Sequence, residues 1–314
     1  MTASTTRRAG AARSRLAAVA AIAVTGSLLL SGCGDQRDKI SNNSTSGAPL
    51  FGLLPKEIQS SKVIEVGSDI SYPPVEFRKS GRVIGLDIDL ADAMGKHLGV
   101  KMKFSNGDFD GLITGLKSKR FDIAMSAMTD NKGRQEGVDP DSGKKVGEGV
   151  DFVDYLTAGV SIYTRKGDDQ GITTWDDLCG KKIAVQRATV SHDLAKAQSK
   201  ECGDKGKIEI EAFAKDTEAQ VRLKGGGADA ASSDFPVAAY AVRTSGGGED
   251  FQLVGDQVDA APYGIAVGKK NTQLRDALKA ALDAVIRTGE YQKILEKWGA
   301  EDGAVDQAIV NGGK

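Results

Sequence analysis

Two carboxylates, Asp69 and Asp234, and the histidines His97 and His192 are the residues whose chemistry comes first to notice. An acid–base pair such as Asp69 with Asp234 could move protons in catalysis, but a cleft that binds a cationic group needs the same carboxylates. The three cysteines, Cys33, Cys179 and Cys202, show no Cys-x-x-Cys spacing, and the histidines show no His-x-x-x-His spacing, so no metal is expected. There is no Gly-x-Ser-x-Gly elbow, no phosphate loop and no dinucleotide fingerprint; Gly264-x-x-x-Gly268-Lys269 has the wrong spacing. Neither an enzyme nor a cofactor is expected. Cys179 and Cys202 lie 23 positions apart. In an exported chain an even pair reads as a disulfide, which could add about 3 kcal/mol by closing that loop. The alternative is two buried thiols.

The loop Gln186-Arg187-Ala188-Thr189-Val190 follows a strand over 182–185 and precedes a helix from 190. Backbone N–H groups at a helix N-terminus form an anion site, with Thr189 as the hydroxyl donor and, compatibly, as an N-cap. Arg134 sits among Asp130, Asn131, Lys132, Gln135 and Glu136, and by composition alone reads as a solvated surface residue. Asp234 precedes Phe235-Pro236, which fits an N-cap with Pro at the first helical position.

The N-terminus carries an address. Residues 1–15 hold Arg7, Arg8, Arg13 and Arg15 and no acid, and residues 16–30 are uncharged. Fifteen apolar residues fall short of the roughly 20 that span hydrocarbon, so this is a secretory signal rather than an anchor helix. It ends Leu30-Ser31-Gly32-Cys33, which resembles the lipobox of bacterial lipoproteins, where the Cys is lipidated and becomes the new N-terminus. Arg7-Arg8 is a weak hint of twin-Arg export. The polar stretch 34–49 reads as a tether. The 314 residues carry a net charge of −1, but without residues 1–33 there are 38 basic against 43 acidic side chains, a net −5. No basic surplus is available for phosphates, which excludes nucleic acid as an expected partner. A mature length near 280 residues favours two domains.

The elements that must position these residues alternate. Strands are expected at 62–67 and 121–125, and helices at 87–98, led into by residues 82–86, and at 110–119. Leu90, Met94 and Leu98 mark one helix face, and Asp87 and Asp89 suit the dipole at its start. Residues 137–150 read as a polar surface insertion. A second series follows: strand 182–185, helix 190–200, strand 207–212, helix 217–224, a strand from 229 and a helix from 235. Two helices close the chain, one faced by Leu274, Leu278, Ala281, Leu282 and Val285, the other by Tyr291, Ile294, Leu295 and Trp298. Such alternation predicts parallel α/β sheets.

The ordered set Gly67-Ser-Asp-x-x-Tyr72-Pro-Pro, Gly85-Leu-Asp87-Ile-Asp89-Leu, Phe109-Asp-Gly-Leu-Ile113, Phe121-Asp-Ile-Ala-Met-Ser126, Arg134, Val150-Asp-Phe152 and Asp229-Ala-Ala-x-x-Asp234 resembles the family 3 solute-binding proteins, the polar amino-acid receptors of ABC importers. The likeness runs from about residue 61 to 299. It implies a type II periplasmic-binding-protein fold: two α/β lobes with the ligand between them, joined by strands crossing near 157–160 and 260–264. The implied organisation is a lipoprotein signal peptide over 1–33, a flexible tether over 34–60, a first lobe of 61–158 plus 262–314, and a second lobe of 159–261.

The resemblance also implies a site. A buried zwitterion needs a partner for each charge. Arg134 would fork the carboxylate, helped by Thr129 and by the loop at Gln186, Thr189 and Val190. The family usually has Gly where Ala188 stands and a hydroxyl where Val190 stands, so Val190 would contribute its N–H. Asp234 and the Ala127 carbonyl would take the ammonium. Tyr72 and Phe109 match a pair of aromatics that sandwich the side chain, at about 0.5–2 kcal/mol per cation–π contact; core packing is the alternative for either. Asp69 and Ser126 would meet its far end. This set resembles the lysine–arginine–ornithine binders and leaves glutamine open; Arg187, if it pointed inward, would suit an acidic ligand. The expected partners are a free amino acid, a permease with its ATPase, and the outer face of the cytoplasmic membrane through lipid on Cys33. A monomer is expected. Sensing in place of import, or a dehydratase-like activity on the same fold, are the alternatives.

Overall fold

The computed structural model describes residues 47–314. The export segment, Cys33 and residues 34–46 of the tether lie outside the described residues. The tether does not run to residue 60. A turn of 3₁₀ helix at Phe51–Leu53 and the helix α1 (Lys56–Ser61) bury Phe51, Leu54 and Ile58 against the first core. The Leu50 N–H donates to the His97 carbonyl at 3.1 Å, and Gln273 donates to the carbonyls of Leu53 and Leu54. The polar composition that marks the tether stops at Pro49, and the apolar residues beyond it have a surface to cover.

Strands and helices then alternate. They begin with β1 (Val63–Ser68), the antiparallel ribbon β2 (Ser71–Tyr72), β3 (Glu76–Lys79) and β4 (Arg82–Ile84), then α2 (Leu86–Leu98) and β5 (Lys101–Asn106). Next come α3 (Leu112–Lys117), β6 (Ile123–Ala124) and α4 (Lys132–Glu136). The long strand β7 (Val150–Arg165) leads to β8 (Lys182–Gln186), α5 (Val190–Glu201), β9 (Glu209–Phe213), α6 (Asp216–Lys224), β10 (Ala230–Asp234) and α7 (Phe235–Thr244). The equally long β11 (Phe251–Gly268) returns to α8 (Thr272–Arg287), α9 (Glu290–Trp298) and β12 (Ile309–Val310). Helix α3 is shorter than the expected 110–119 because the chain from Phe109 to Gly111 winds as 3₁₀ helix. The 137–150 segment is a mostly exposed loop until β7 starts at Val150.

The main sheet runs β5-β1-β6-β11-β7-β10-β8-β9. Its two arms are parallel, β5 and β6 on β1, and β9 and β10 on β8. Between them β7 and β11 pair antiparallel over most of their length, with the register slipping between Val254 and Val258, Val258 and Ala261, and Tyr263 and Gly264. Both crossings expected from the resemblance fall in this ribbon. Close pairing there needs Gly159, where a Cβ would stand 2.5 Å from the Val258 carbonyl. This is the two-lobe α/β architecture expected from the resemblance.

Each lobe has its own core. Leu90, Met94 and Leu98 of α2 meet Leu278, Leu282 and Leu295 beneath Ile64 and Val66. In the second lobe Ile183, Val185, Ala195 and Ile208 pack together, with Cys202 among them. Cys179 and Cys202 are joined in a disulfide, Cα–Cα 5.5 Å. Trp298 is only partly buried, and its indole N–H donates to Asp89 at 2.7 Å. Gly67 lies near the end of β1, where a Cβ would stand 2.3 Å from the Phe121 ring.

Candidate functional site

Most of the candidate residues gather because they end or follow a strand at its carboxyl end, where open α/β sheets present their clefts; Tyr72 lies in β2 and Arg134 in α4. Asp69 follows β1, Ser126 to Thr129 follow β6, Gln186 to Val190 end and follow β8, and Asp234 ends β10. They form three clusters that cross from one lobe to the other.

The first centres on Asp69, whose side chain is nearly inaccessible at 2 % exposure. Its Oδ1 accepts from the Ser71 hydroxyl at 2.6 Å and from the Lys215 ammonium at 2.9 Å. Its Oδ2 accepts from Gln186 Nε2 at 2.7 Å. Its N–H donates to Ser126 Oγ at 3.0 Å, and that hydroxyl donates on to Glu76 at 2.6 Å. Asp69 is therefore already served by an amide and a cation of the protein's own second lobe.

The second joins Tyr72 to Asp234. The phenol donates to Oδ2 at 3.0 Å and accepts from the Asp234 N–H at 3.2 Å. Asp234 makes no side-chain bond to α7, the helix that it precedes, so its carboxylate does not serve as a cap. Burial pushes its pKa up to about 6, against the opposing pull of the Tyr72 hydroxyl.

The third is built on Arg134. Asn131 caps the short α4 by accepting from the Arg134 N–H at 2.9 Å. The guanidinium lies 5.4 Å from the centre of the Phe109 ring and donates to the Thr129 carbonyl at 2.7 Å and to the Ala188 carbonyl of the second lobe at 2.9 Å. The solvated surface role suggested by composition does not apply. Ala188 has φ +60°, a left-handed conformation that costs a residue with a Cβ roughly 1–2 kcal/mol and suits the Gly that the resemblance leads one to expect there. The Thr189 hydroxyl is engaged locally: it donates to the Gln186 carbonyl at 2.7 Å and accepts from the His192 N–H at 3.3 Å as the cap of α5. Thr129 and Val190 also line a cavity of about 330 Å³ beside residues 259–262. Arg187 is at the rim, half-exposed, with Nε 3.1 Å from Asp110 Oδ2.

Several contacts here were not foreseen from sequence. Asp87, assigned to the helix dipole, turns inward. Its Oδ2 accepts from the Tyr155 hydroxyl at 3.0 Å and from the N–H of Ala127, itself at φ +46°, at 3.2 Å. Burial pushes the Asp87 carboxyl up to about 7 and the neighbouring Glu76 well above the ordinary carboxylate range. Lys215 carries no motif of its own in the sequence. It stands two positions past β9, so the strand-end rule that locates the other residues would have found it.

These features accompany a match over residues 64–301 to the model of the bacterial extracellular solute-binding proteins, family 3. The chain is 33 % identical over 263 residues to the arginine-binding protein ArgT of Corynebacterium glutamicum, covering 82 % of this chain and 81 % of that protein. Among solved structures it is similar to an ancestral arginine-binding protein bound to arginine, with 35 % identity, TM-score 0.67, and coverage of 76 % of this chain and 98 % of the other. It is also similar to an ancestral arginine-binding protein bound to glutamine, with 35 % identity, TM-score 0.66, and 76 % and 99 % coverage. The chain belongs to the bacterial extracellular solute-binding proteins, family 3.

Proposed function

We propose that this chain is the extracytoplasmic binding component of an ABC importer and captures a free polar amino acid between its lobes, with arginine or lysine the preferred class. One observation carries the reading. The Arg134 guanidinium of the first lobe donates only to the carbonyls of Thr129 and, across the cleft, Ala188, and the Asp234 carboxylate of the second accepts from the neutral Tyr72 hydroxyl; neither side chain is in an ion pair among the described residues. A zwitterion supplies the missing charge to each. Arg134, with Thr129 and the backbone of the loop at Thr189 and Val190, takes the carboxylate, while the Gln186 amide is held on Asp69; Asp234 and the Ala127 carbonyl take the ammonium. Tyr72 and Phe109 flank the side chain, and Asp69 with Ser126 meets its end. Arginine-binding relatives at 33–35 % identity support a cationic ligand.

Glutamine is the second reading, because Lys215 already neutralises Asp69 and a related arginine-binding protein holds glutamine. In this proposal the lobes divide as 61–158 with 262–314 and 159–261, with residues 48–60 folded onto the first. Residues 1–33 direct export, and lipid on Cys33 holds the chain at the outer face of the cytoplasmic membrane. No helix of the described residues is long and apolar enough to cross a membrane.

A thermal-shift panel of the twenty amino acids on the chain from residue 34 tests the ligand class, since a ligand of the folded state raises its stability by mass action. Arginine or lysine is expected to give the largest shift. Glutamate giving the largest shift overturns the specificity, and no shift with any amino acid overturns the receptor reading.

A further inference from the structure

Lys215 belongs to the second lobe, where its N–H is fixed by Glu218 Oε2 at 3.2 Å at the start of α6. Its ammonium reaches into the first lobe. It lies 2.9 Å from Asp69 Oδ1, 2.9 Å from Asp108 Oδ1 and 3.5 Å from the Gly107 carbonyl. An ammonium has three N–H donors, and here each has an acceptor across the cleft. Burial opposes the charge, but the Asp108 and Asp69 carboxylates outweigh it and hold the ammonium above its ordinary pKa. The two carboxylates differ in setting: the Asp69 side chain is 2 % exposed and that of Asp108 is 59 % exposed.

We infer that Lys215 is a specificity-determining residue, a tethered cation that competes with a ligand's side-chain cation for Asp69 and, while it sits there, ties the two lobes together. The inference rests on the reading of this cleft as an amino-acid site with Asp69 at its side-chain end. Two cations cannot share one buried carboxylate without strong repulsion, so a guanidinium or ammonium reaches Asp69 only by moving Lys215 away. Asp108 makes that movement possible, because the ammonium can rest on it and keep an ion pair. A neutral amide asks for no such displacement: it can bond Asp69 beside Lys215. Lys215 therefore penalises arginine and lysine relative to glutamine. It also stands in for the ligand's cation by closing the lobes when none is bound.

The test compares wild type with Lys215→Met and Lys215→Arg, using the chain from residue 34. Met keeps most of the stem and removes the charge. Titration calorimetry with arginine and glutamine is paired with small-angle scattering without ligand. In the Met variant the arginine-over-glutamine affinity ratio is expected to rise about tenfold, the scale of a like-charge contact moderated by its retained partner. The ratio cancels any general effect on closure. The ligand-free Met variant is expected to show a larger radius of gyration that falls when arginine is added, and the Arg variant to stay close to wild type on both counts. An unchanged or lower ratio overturns the competition, and an unchanged ligand-free radius overturns the tie. If neither amino acid binds even wild type, the amino-acid reading has failed, and the scattering still decides whether Lys215 ties the lobes.

Discussion

Tyr72, from the ribbon of the first lobe, shares its hydroxyl with both the carboxylate and the N–H of Asp234 in the second, at 3.0 and 3.2 Å. The contact joins residues 162 positions apart and places a neutral donor on the acid assigned here to the ligand's ammonium.

That acid sets a pH dependence. Burial pushes the Asp234 carboxyl up to about 6. The ammonium is charged at every pH of interest and needs the carboxylate, which is half protonated near pH 6, so affinity is expected to be full well above pH 6 and to fall as pH drops through it. Tyr72 lowers the Asp234 pKa, so Tyr72→Phe is expected to move the acid limb to higher pH. Calorimetry from pH 5 to pH 8 reads both; a profile without an acid limb removes Asp234 from the ammonium site.

Arg134→Lys removes the planar fork and, with it, the bond to Ala188 across the cleft. Loss of a charge-assisted bond costs about 1.5–3 kcal/mol, so every amino-acid ligand is expected to weaken tenfold or more, all to a similar degree. Unchanged affinities in calorimetry dismiss Arg134 as the carboxylate's partner.

Several buried acids act on stability in one direction. Burial holds Asp87 and Asp154 at about 7 and Asp216 at about 6, all above their unfolded value of 3.8. Between those values the folded chain binds more protons than the unfolded one. This contribution to stability is therefore complete below about pH 4 and is lost as pH rises through about 6 to 7. Asp87→Asn keeps an acceptor for Ala127 and Tyr155 but does not titrate, and is expected to flatten the decline. Chemical denaturation at pH 5 and pH 8 measures it: an equal difference in wild type and variant excludes Asp87 as a source.

The Cys179–Cys202 bridge closes a loop of 23 positions. Replacing both with Ser is expected to cost about 3 kcal/mol in the chain-entropy account. The check is the midpoint of thermal unfolding, and labelling of both thiols in untreated, unfolded protein shows instead that no bridge forms.

How much could be read in advance depended on the range of the interaction. The faces of α2 and α8 followed from Leu90, Met94 and Leu98 and from Leu274, Leu278 and Leu282, because helical periodicity is local. Alternating strands and helices gave the two parallel arms. The end of the tether was missed, since Phe51, Leu54 and Ile58 reveal no role until α8 is in place to receive them. Asp87 does stand in the first turn of α2, as expected, but that placement leaves its face open, and only the packing of the lobe aims it at Tyr155.

Sequence by itself determined most of the alternating elements and the strand ends at which Asp69 and Asp234 stand, through period and composition, and the ordered motifs, through the resemblance, added the crossing between lobes and Arg134 on the short α4. Tertiary structure decided which groups are partners. Asp69 and Lys215 are 146 positions apart, and no pattern along the chain couples them. Their contact exists because closure brings one strand end of each lobe within reach of a four-carbon stem, in a cleft where a buried carboxylate cannot be left without a cation.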